Sequence, residues 1–87
     1  MILVVEDKPS MRRMLRETLE GAGYKVDEAA DGEEALKKLS LNHYQLILTD
    51  LKLPRKDGLA VLRAAREVAS NLPVILMTAY GTVESAV

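Results

Sequence analysis

Several residue types that support common protein functions are missing from this sequence. It contains no cysteine, tryptophan or phenylalanine and a single histidine in 87 residues. Without cysteine the chain has no disulfides and no thiolate metal sites, which fits a reducing compartment. No apolar run approaches the roughly 18 residues that span a membrane, and Met1–Val5 is too short for a signal-peptide core. We therefore expect a cytoplasmic protein with no membrane segment.

The charge balance argues against a nucleic-acid-binding surface. Lys and Arg number 12 and Asp and Glu number 13, so the formal net charge is −1, and neither sign dominates a block. Because a basic patch is the electrostatic footprint of nucleic-acid binding, we expect no direct nucleic-acid contact by this segment. With 48% apolar residues, the chain is long enough for one small domain with an aliphatic core.

Continuous apolar runs alternate with amphipathic segments along the chain. Buried-strand patterns occupy Ile2–Val5, Gln45–Thr49 and Val74–Met77. Tyr24–Ala30 is a further strand candidate, with Val26 as its best apolar anchor. Helical spacing follows at three places, beginning near Pro9, Asp31 and Leu59. The first of these helices is predicted to turn Met11 and Met14 toward the core, and Thr82–Val87 has room only for the first turn of a fourth. This alternation predicts an α/β fold with a parallel sheet and helices on both faces.

Acidic residues follow two of the predicted strands. Glu6 and Asp7 come directly after the first strand, and Asp50 follows the third. The carboxyl ends of parallel strands meet at one edge of the sheet, where open α/β sheets bind ligands. Three carboxylates at this edge would repel one another unless a cation neutralised them. Oxygen ligands alone favour Mg²⁺, which keeps open positions that commonly take phosphate oxygens.

An aspartate at such a site can act as a nucleophile toward phosphorus. Asp50 could form an acyl phosphate, while the metal offsets charge on the phosphoryl oxygens. The hydroxyl of Thr78, after the fourth strand, could hydrogen-bond a phosphoryl oxygen, and the backbone carbonyl of Lys52 could be a further metal ligand. Taken singly, these residues have plainer explanations, because an acid after a strand often caps a helix and a lone threonine is commonly a turn residue. Asp57, before Gly58, is most simply a turn or cap.

Five motifs run through the chain in a characteristic order. They are Val4-Val5-Glu6-Asp7, Asp31-Gly32-Glu33-Glu34-Ala35, Leu48-Thr49-Asp50-Leu51-Lys52-Leu53-Pro54, Asp57-Gly58 and Pro73-Val74-Ile75-Leu76-Met77-Thr78-Ala79. In this order and spacing they resemble the receiver domain of two-component response regulators, over essentially the whole chain. The resemblance implies a flavodoxin-like, doubly wound parallel sheet with strand order 2-1-3-4-5.

The resemblance also implies a role for each site residue. Asp50 would be the phosphoacceptor for a sensor histidine kinase. Glu6 and Asp7 would hold Mg²⁺, Asp7 directly and Glu6 mostly through water, and Lys52 would contribute its carbonyl. Thr78 would follow the phosphoryl group and couple it to the fourth-helix region. The implied function is a phosphorylation-dependent signalling switch, a regulatory phosphoacceptor and not a conventional enzyme, that controls an output domain expected to be transcriptional.

Part of the family pattern falls outside residues 1–87. The family carries an aromatic switch residue on its fifth strand and a lysine after that strand. Neither falls within residues 1–87, so the chain is expected to be a receiver domain truncated within its fourth helix, lacking the fifth strand and last helix. The alternative is a self-associating or domain-swapped module, for example a homodimer, without effective phosphotransfer, because an unpaired sheet edge invites such exchange.

Two finer assignments concern the output and the chemistry. Residues 78–87 further resemble the subgroup fused to an ATPase module and a DNA-binding domain, the enhancer-binding transcriptional activators. A Mg²⁺-dependent phosphatase with an aspartyl nucleophile is disfavoured, because such enzymes commonly carry a second aspartate two residues after the nucleophile and this chain has Lys52 there.

Overall fold

The computed structural model describes residues 1–78 and 81–84, the side chains of residues 78 and 81–84 excepted. In chain order the elements are β1 (Ile2–Val5), α1 (Pro9–Gly21), β2 (Val26–Ala29), α2 (Gly32–Leu41), β3 (Leu46–Asp50), α3 (Gly58–Val68), β4 (Val74–Thr78) and β5 (Gly81–Glu84). Strands β1 to β4 are parallel and lie in the order β2-β1-β3-β4. This arrangement confirms the predicted flavodoxin-like, doubly wound sheet. None of the described helices has the length and apolarity that crossing a membrane requires.

The chain after β4 departs from the prediction. Gly81–Glu84 forms β5, which is antiparallel to β4, so the helical turn predicted for Thr82–Val87 is wrong where it overlaps this strand, and residues 85–87 lie outside the described part. Thr82 and Val83 are β-branched and favour a strand. Pairing with β4 also satisfies backbone groups that the edge of β4 would otherwise expose. The unpaired β4 edge on which the self-association alternative depended is therefore covered.

Two apolar layers lie against the sheet, since successive strand residues point to opposite faces. The larger layer joins strand residues to α2 and α3, and its buried members include Leu3, Val5, Ile47, Val74, Ala35, Leu39, Val61 and Ala65. The smaller layer contains Ile2, Val4 and Val26, with Leu15 and Leu19 of α1 packed against it. The sheet is thus sandwiched between helices, and its carboxyl edge stays open for a site.

Helix α1 is less buried than its sequence predicts. No residue of α1 is fully buried, and Met11 and Met14 are 41% and 50% exposed, so the prediction that both face the core is wrong. Leu15 and Leu19 do pack against the smaller layer. Among the described helices, α1 alone contributes to this layer. No second described helix therefore packs beside α1 to cover Met11 and Met14.

A polar network surrounds the outer edge of β2. Lys38 donates to Asp27 Oδ1 at 3.1 Å and to the backbone carbonyl of Glu28. Asp27 also accepts from the backbone amide of Glu28 at 2.9 Å and from the Tyr44 hydroxyl at 2.6 Å. Burial alone would raise the pKa of Asp27, but the hydrogen bonds from Tyr44 and Lys38 outweigh it and hold that pKa below its usual range. Burial, reinforced by the bond to Asp27, raises the pKa of Tyr44.

Replacing Tyr44 with Phe is expected to destabilise the protein by about 2 kcal/mol at neutral pH, because it removes a hydrogen bond to a charged carboxylate. The folded-state pKa of Asp27 is lowered. The stability that Asp27 contributes is therefore present above its unfolded pKa of about 4 and is lost as pH falls through the folded value. The difference in unfolding free energy between the parent and Y44F should then narrow in acid.

Urea unfolding at about pH 7 and at successively lower pH values, from about 4 downward, follows this difference as Asp27 becomes protonated. Tyr24→Phe is the matched control, because the Tyr24 side chain is 46% exposed. A Y44F deficit in unfolding free energy that stays the same down to the lowest pH at which the parent remains folded would contradict the role assigned to Asp27.

Candidate functional site

The three acids singled out in the sequence meet at the carboxyl edge of the sheet. Glu6 and Asp7 lie in the short connection between β1 and α1, and Asp50 ends the neighbouring strand β3. Each contributes a carboxylate oxygen, and these oxygens lie within 4.8 Å of one another. Glu6 is buried, Asp50 is half-buried and Asp7 is exposed. The cluster is therefore anchored at Glu6 and accessible from solvent at Asp7.

The cluster is electrostatically unfavourable without a cation. Burial of Glu6, which is 4% exposed, raises the pKa of its carboxyl, and the bond from the Lys8 amide at 3.1 Å opposes this effect. A hydrogen bond with Asp7 and the charges of Asp50 and Asp7 raise it further. A divalent cation would neutralise this repulsion, and a donor set made only of carboxylate oxygens suits Mg²⁺. The residues present therefore fit the ion that the sequence predicts.

Gly58, the first residue of α3, packs against the backbone of Asp50 and Leu51. A Cβ at Gly58 would lie 2.5 Å from the backbone oxygen of Asp50 and 2.9 Å from Leu51 Cα. The Gly58 amide donates to the Leu51 carbonyl at 2.8 Å. Asp57 caps α3 by accepting from the Ala60 amide at 2.9 Å, as the cap interpretation of the sequence expected. The need for glycine at position 58 was missed, although its place directly after a cap residue was a usable signal.

The loop after Asp50 also contacts the start of α2. A Cβ at Gly32 would lie 1.8 Å from the Lys56 carbonyl oxygen. Asp31 caps α2 by accepting from the Glu34 amide at 2.8 Å, and the Glu34 carboxylate accepts from the Ala30 amide at 2.7 Å. The loop that leaves the acidic cluster is thus packed, at Lys56, against the start of α2.

The two remaining predicted site residues lie at the same edge. Lys52 is exposed in the bend that follows β3, and its carbonyl as a metal ligand stays a prediction. Thr78 is the last residue of β4, one position beyond Met77, which is paired with Asp50. The Thr78 side chain lies outside the described part, so its bond to a phosphoryl oxygen also stays a prediction.

Fold and site together define a flavodoxin-like α/β domain with an acidic cluster at the carboxyl edge of its parallel sheet. A family model described as the response regulator receiver domain matches residues 2–87. Because this match covers almost the entire chain, the protein belongs to the response regulator receiver domain family. Membership confirms the resemblance seen in the sequence motifs and places the chain in two-component signalling.

Individual relatives come from more than one kind of signalling protein. The chain is 45% identical over 78 residues to the Sensor protein EvgS of Escherichia coli, covering 90% of this chain and 6% of that protein. It is 46% identical over 80 residues to the Transcriptional regulatory protein ResD of Bacillus subtilis, covering 92% of this chain and 33% of that protein. The chain thus spans a third or less of these two curated relatives.

A solved structure shows the same fold in a related receiver. The response regulator protein TrrA from Thermotoga maritima, in complex with Mg²⁺-BeF, superimposes with a TM-score of 0.85 at 43% identity. The match covers 91% of this chain and 69% of that chain. The relative therefore shares both the architecture and a substantial part of the sequence.

Proposed function

We propose that this domain is a phosphorylation-dependent signalling switch, in which Asp50 accepts a phosphoryl group from a sensor histidine kinase with the help of Mg²⁺. The observation that carries the proposal is the convergence of three carboxylate oxygens within 4.8 Å of one another, at the end of β3 and after β1. Family membership supports it. The related TrrA structure, a complex with Mg²⁺-BeF, supports a site for that ion.

In this proposal, Asp50 is the nucleophile. One of its carboxylate oxygens attacks phosphorus, the bond from phosphorus to the histidine nitrogen of the kinase breaks, and the imidazole leaves with the electron pair of that bond. Asp7, Asp50 and the carbonyl of Lys52 would hold Mg²⁺, with Glu6 acting mostly through water. When bound, the ion supplies positive charge that offsets the negative charge on the phosphoryl oxygens.

The readout would begin at the end of β4. Thr78 would donate its hydroxyl to a phosphoryl oxygen on Asp50, and the added negative charge would shift the population of the segment beyond it. The proposed output is transcriptional, which the similarity to ResD supports. The finer assignment to enhancer-binding activators, with an ATPase module and a DNA-binding domain, rests on the resemblance of residues 78–87 and stays a prediction.

Metal dependence tests the proposal. With acetyl phosphate as phosphodonor, we expect the intact mass to rise by one phosphoryl group in Mg²⁺ and to stay unchanged in a chelator. Asp7→Asn should raise the Mg²⁺ concentration that gives half-maximal labelling by at least about tenfold, since ligand and supporting substitutions cost that much affinity.

Glu17→Gln is the control for this measurement, because Glu17 is an exposed acid on α1 outside the cluster. It should label as the parent does at every Mg²⁺ concentration. Labelling of the parent that is equally fast in a chelator would overturn the proposed role of the metal.

A further inference from the structure

One arginine links the acidic cluster to β2, the edge strand beside β1. Arg12, in the first turn of α1, donates from Nη1 to the backbone carbonyl of Glu6 at 2.8 Å. It also donates from Nε to Glu28 Oε1 at 2.9 Å, in an ion pair whose arginine side chain is 20% exposed. A single guanidinium therefore ties the end of β1 and the start of α1 to β2.

The carbonyl that Arg12 holds belongs to the peptide bond between Glu6 and Asp7. The peptide unit is planar. Holding the Glu6 oxygen therefore also restrains the Asp7 amide and Cα, to which the Asp7 side chain is attached. The other polar groups of Glu6 are also bonded, because its amide donates to the Ala29 carbonyl at 3.1 Å and its carboxylate accepts from Lys8. In the short connection between β1 and α1, Arg12 thus restrains the Glu6 carbonyl, the group that leads into Asp7.

The charge of Arg12 is balanced outside the cluster. Glu28 accepts from Arg12 on one oxygen and from Arg16 on the other, at 2.9 and 2.5 Å. The bond from Arg16, followed by that from Arg12, lowers the pKa of Glu28 against the effect of burial. Glu28 therefore stays ionised and pairs with Arg12, so the guanidinium can hold the backbone while the acidic cluster keeps its negative charge for a cation.

We propose that Arg12 is a positioning residue for the metal site. Held by Glu28, it fixes the Glu6–Asp7 peptide and thereby sets the direction of the Asp7 carboxylate toward Asp50. This inference rests on the proposed function, since it concerns how the same acidic cluster takes up its ion. It assigns a role to a residue that touches neither the ion nor the phosphoryl group.

The test measures binding of Mn²⁺, a cation that shares the carboxylate preference of Mg²⁺, by electron paramagnetic resonance on the purified protein. Arg12→Met is expected to weaken Mn²⁺ binding by about tenfold or more, the loss typical of residues that support metal ligands. Arg12→Lys should recover part of this affinity, because an ammonium can still donate to the Glu6 carbonyl but cannot bridge to Glu28 in the planar geometry of a guanidinium.

Arg16→Met is the matched control. Arg16 pairs with the same Glu28 carboxylate and with Glu20, and the bond to the Glu6 carbonyl comes from Arg12. R16M should therefore bind Mn²⁺ as the parent does, which separates loss of a surface ion pair from loss of the restraint on the peptide. Thermal unfolding of each variant without metal reports any general loss of stability.

Equal Mn²⁺ affinity of the parent and a folded R12M, with Asp50 still labelled, would overturn the positioning role and leave the proposed function standing. A parent that neither binds Mn²⁺ nor accepts a phosphoryl group would overturn both. Should R12M fail to fold, the comparison of Arg12→Lys with Arg16→Lys decides instead. Weaker Mn²⁺ binding in R12K than in R16K supports the inference, and equal binding contradicts it.

Discussion

Asp50→Asn is expected to abolish phosphoryl transfer to this protein. An amide oxygen lacks the negative charge that makes a carboxylate nucleophilic toward phosphorus, so no acyl phosphate can form at position 50. Asp50 ends β3 within the cluster and is half-buried, and removing one of three adjacent charges should relieve repulsion in the absence of metal. The variant is therefore expected to fold at least as well as the parent while failing to gain mass with acetyl phosphate and Mg²⁺.

Asp57→Asn provides the control for this experiment. Asp57 lies seven positions further along, at the start of α3, where its carboxylate accepts from the Ala60 amide. Asparagine serves about as well as aspartate at a helix N-cap, so D57N should fold and label like the parent. Labelling of D50N at the parent's rate would show that another residue is the acceptor, and peptide mapping of the labelled protein would identify it.

Gly32→Ala is expected to produce the largest loss of stability. The added Cβ would lie 1.8 Å from the Lys56 carbonyl oxygen, and this oxygen belongs to the backbone, so a side-chain rotation cannot relieve the overlap. Overpacking typically costs 1 to 3 kcal/mol and occasionally more, and we expect about 3 kcal/mol here. In a domain of this size that corresponds to a fall in Tm of more than about 10 °C.

Gly21→Ala distinguishes a steric effect from a general effect of losing glycine. Gly21 is the last residue of α1, and a Cβ there would meet no heavy atom within 4 Å. Alanine is the better helix former by up to about 1 kcal/mol, so G21A should match or exceed the Tm of the parent. If G32A and G21A had the same Tm in the same thermal scan, the close contact between the Lys56 carbonyl and the start of α2 would be contradicted.

Much of the fold could be predicted from local pattern. The strand Ile2–Val5 was predicted with the bounds that it has in the structure, because a short continuous apolar run that ends in acids is typical of a buried strand. The start of α2 after Asp31 was also expected, since Asp31 is a residue that caps helices well and does so here. Such features are set by residues close together in the chain, which is why the sequence reveals them.

The misses depend on tertiary contacts, which the local sequence pattern does not report. Met11 and Met14 have helical spacing with Leu15, yet whether they become buried depends on a neighbour for α1 on that face of the sheet. Thr82 and Val83 are β-branched and compatible with a strand, but it is pairing with the edge of β4 that selects the strand over a helical turn. Gly32 and Arg12 escaped notice for the same reason, since their contacts are with Lys56 and with Glu6 and Glu28.

The residues that form the acidic site could be predicted from the sequence, but their distances and exposure could not. Glu6, Asp7 and Asp50 were placed together because the carboxyl ends of neighbouring parallel strands meet at one edge, and the structure brings their oxygens within 4.8 Å. Their unequal exposure, from buried Glu6 to exposed Asp7, follows from packing of the connection before α1. Sequence periodicity does not report that packing.

The network around β2 has a consequence for how copies of this domain can meet. At the centre of this edge strand, the Glu28 amide is taken by Asp27 and the Glu28 carbonyl by Lys38, and the Ala30 amide just beyond is taken by Glu34. An incoming strand would have to break these bonds and displace a charged side chain before it could add to the sheet, and side chains of this kind are how natural proteins discourage such addition. Extension of the sheet by a strand from a second copy is therefore opposed at this edge.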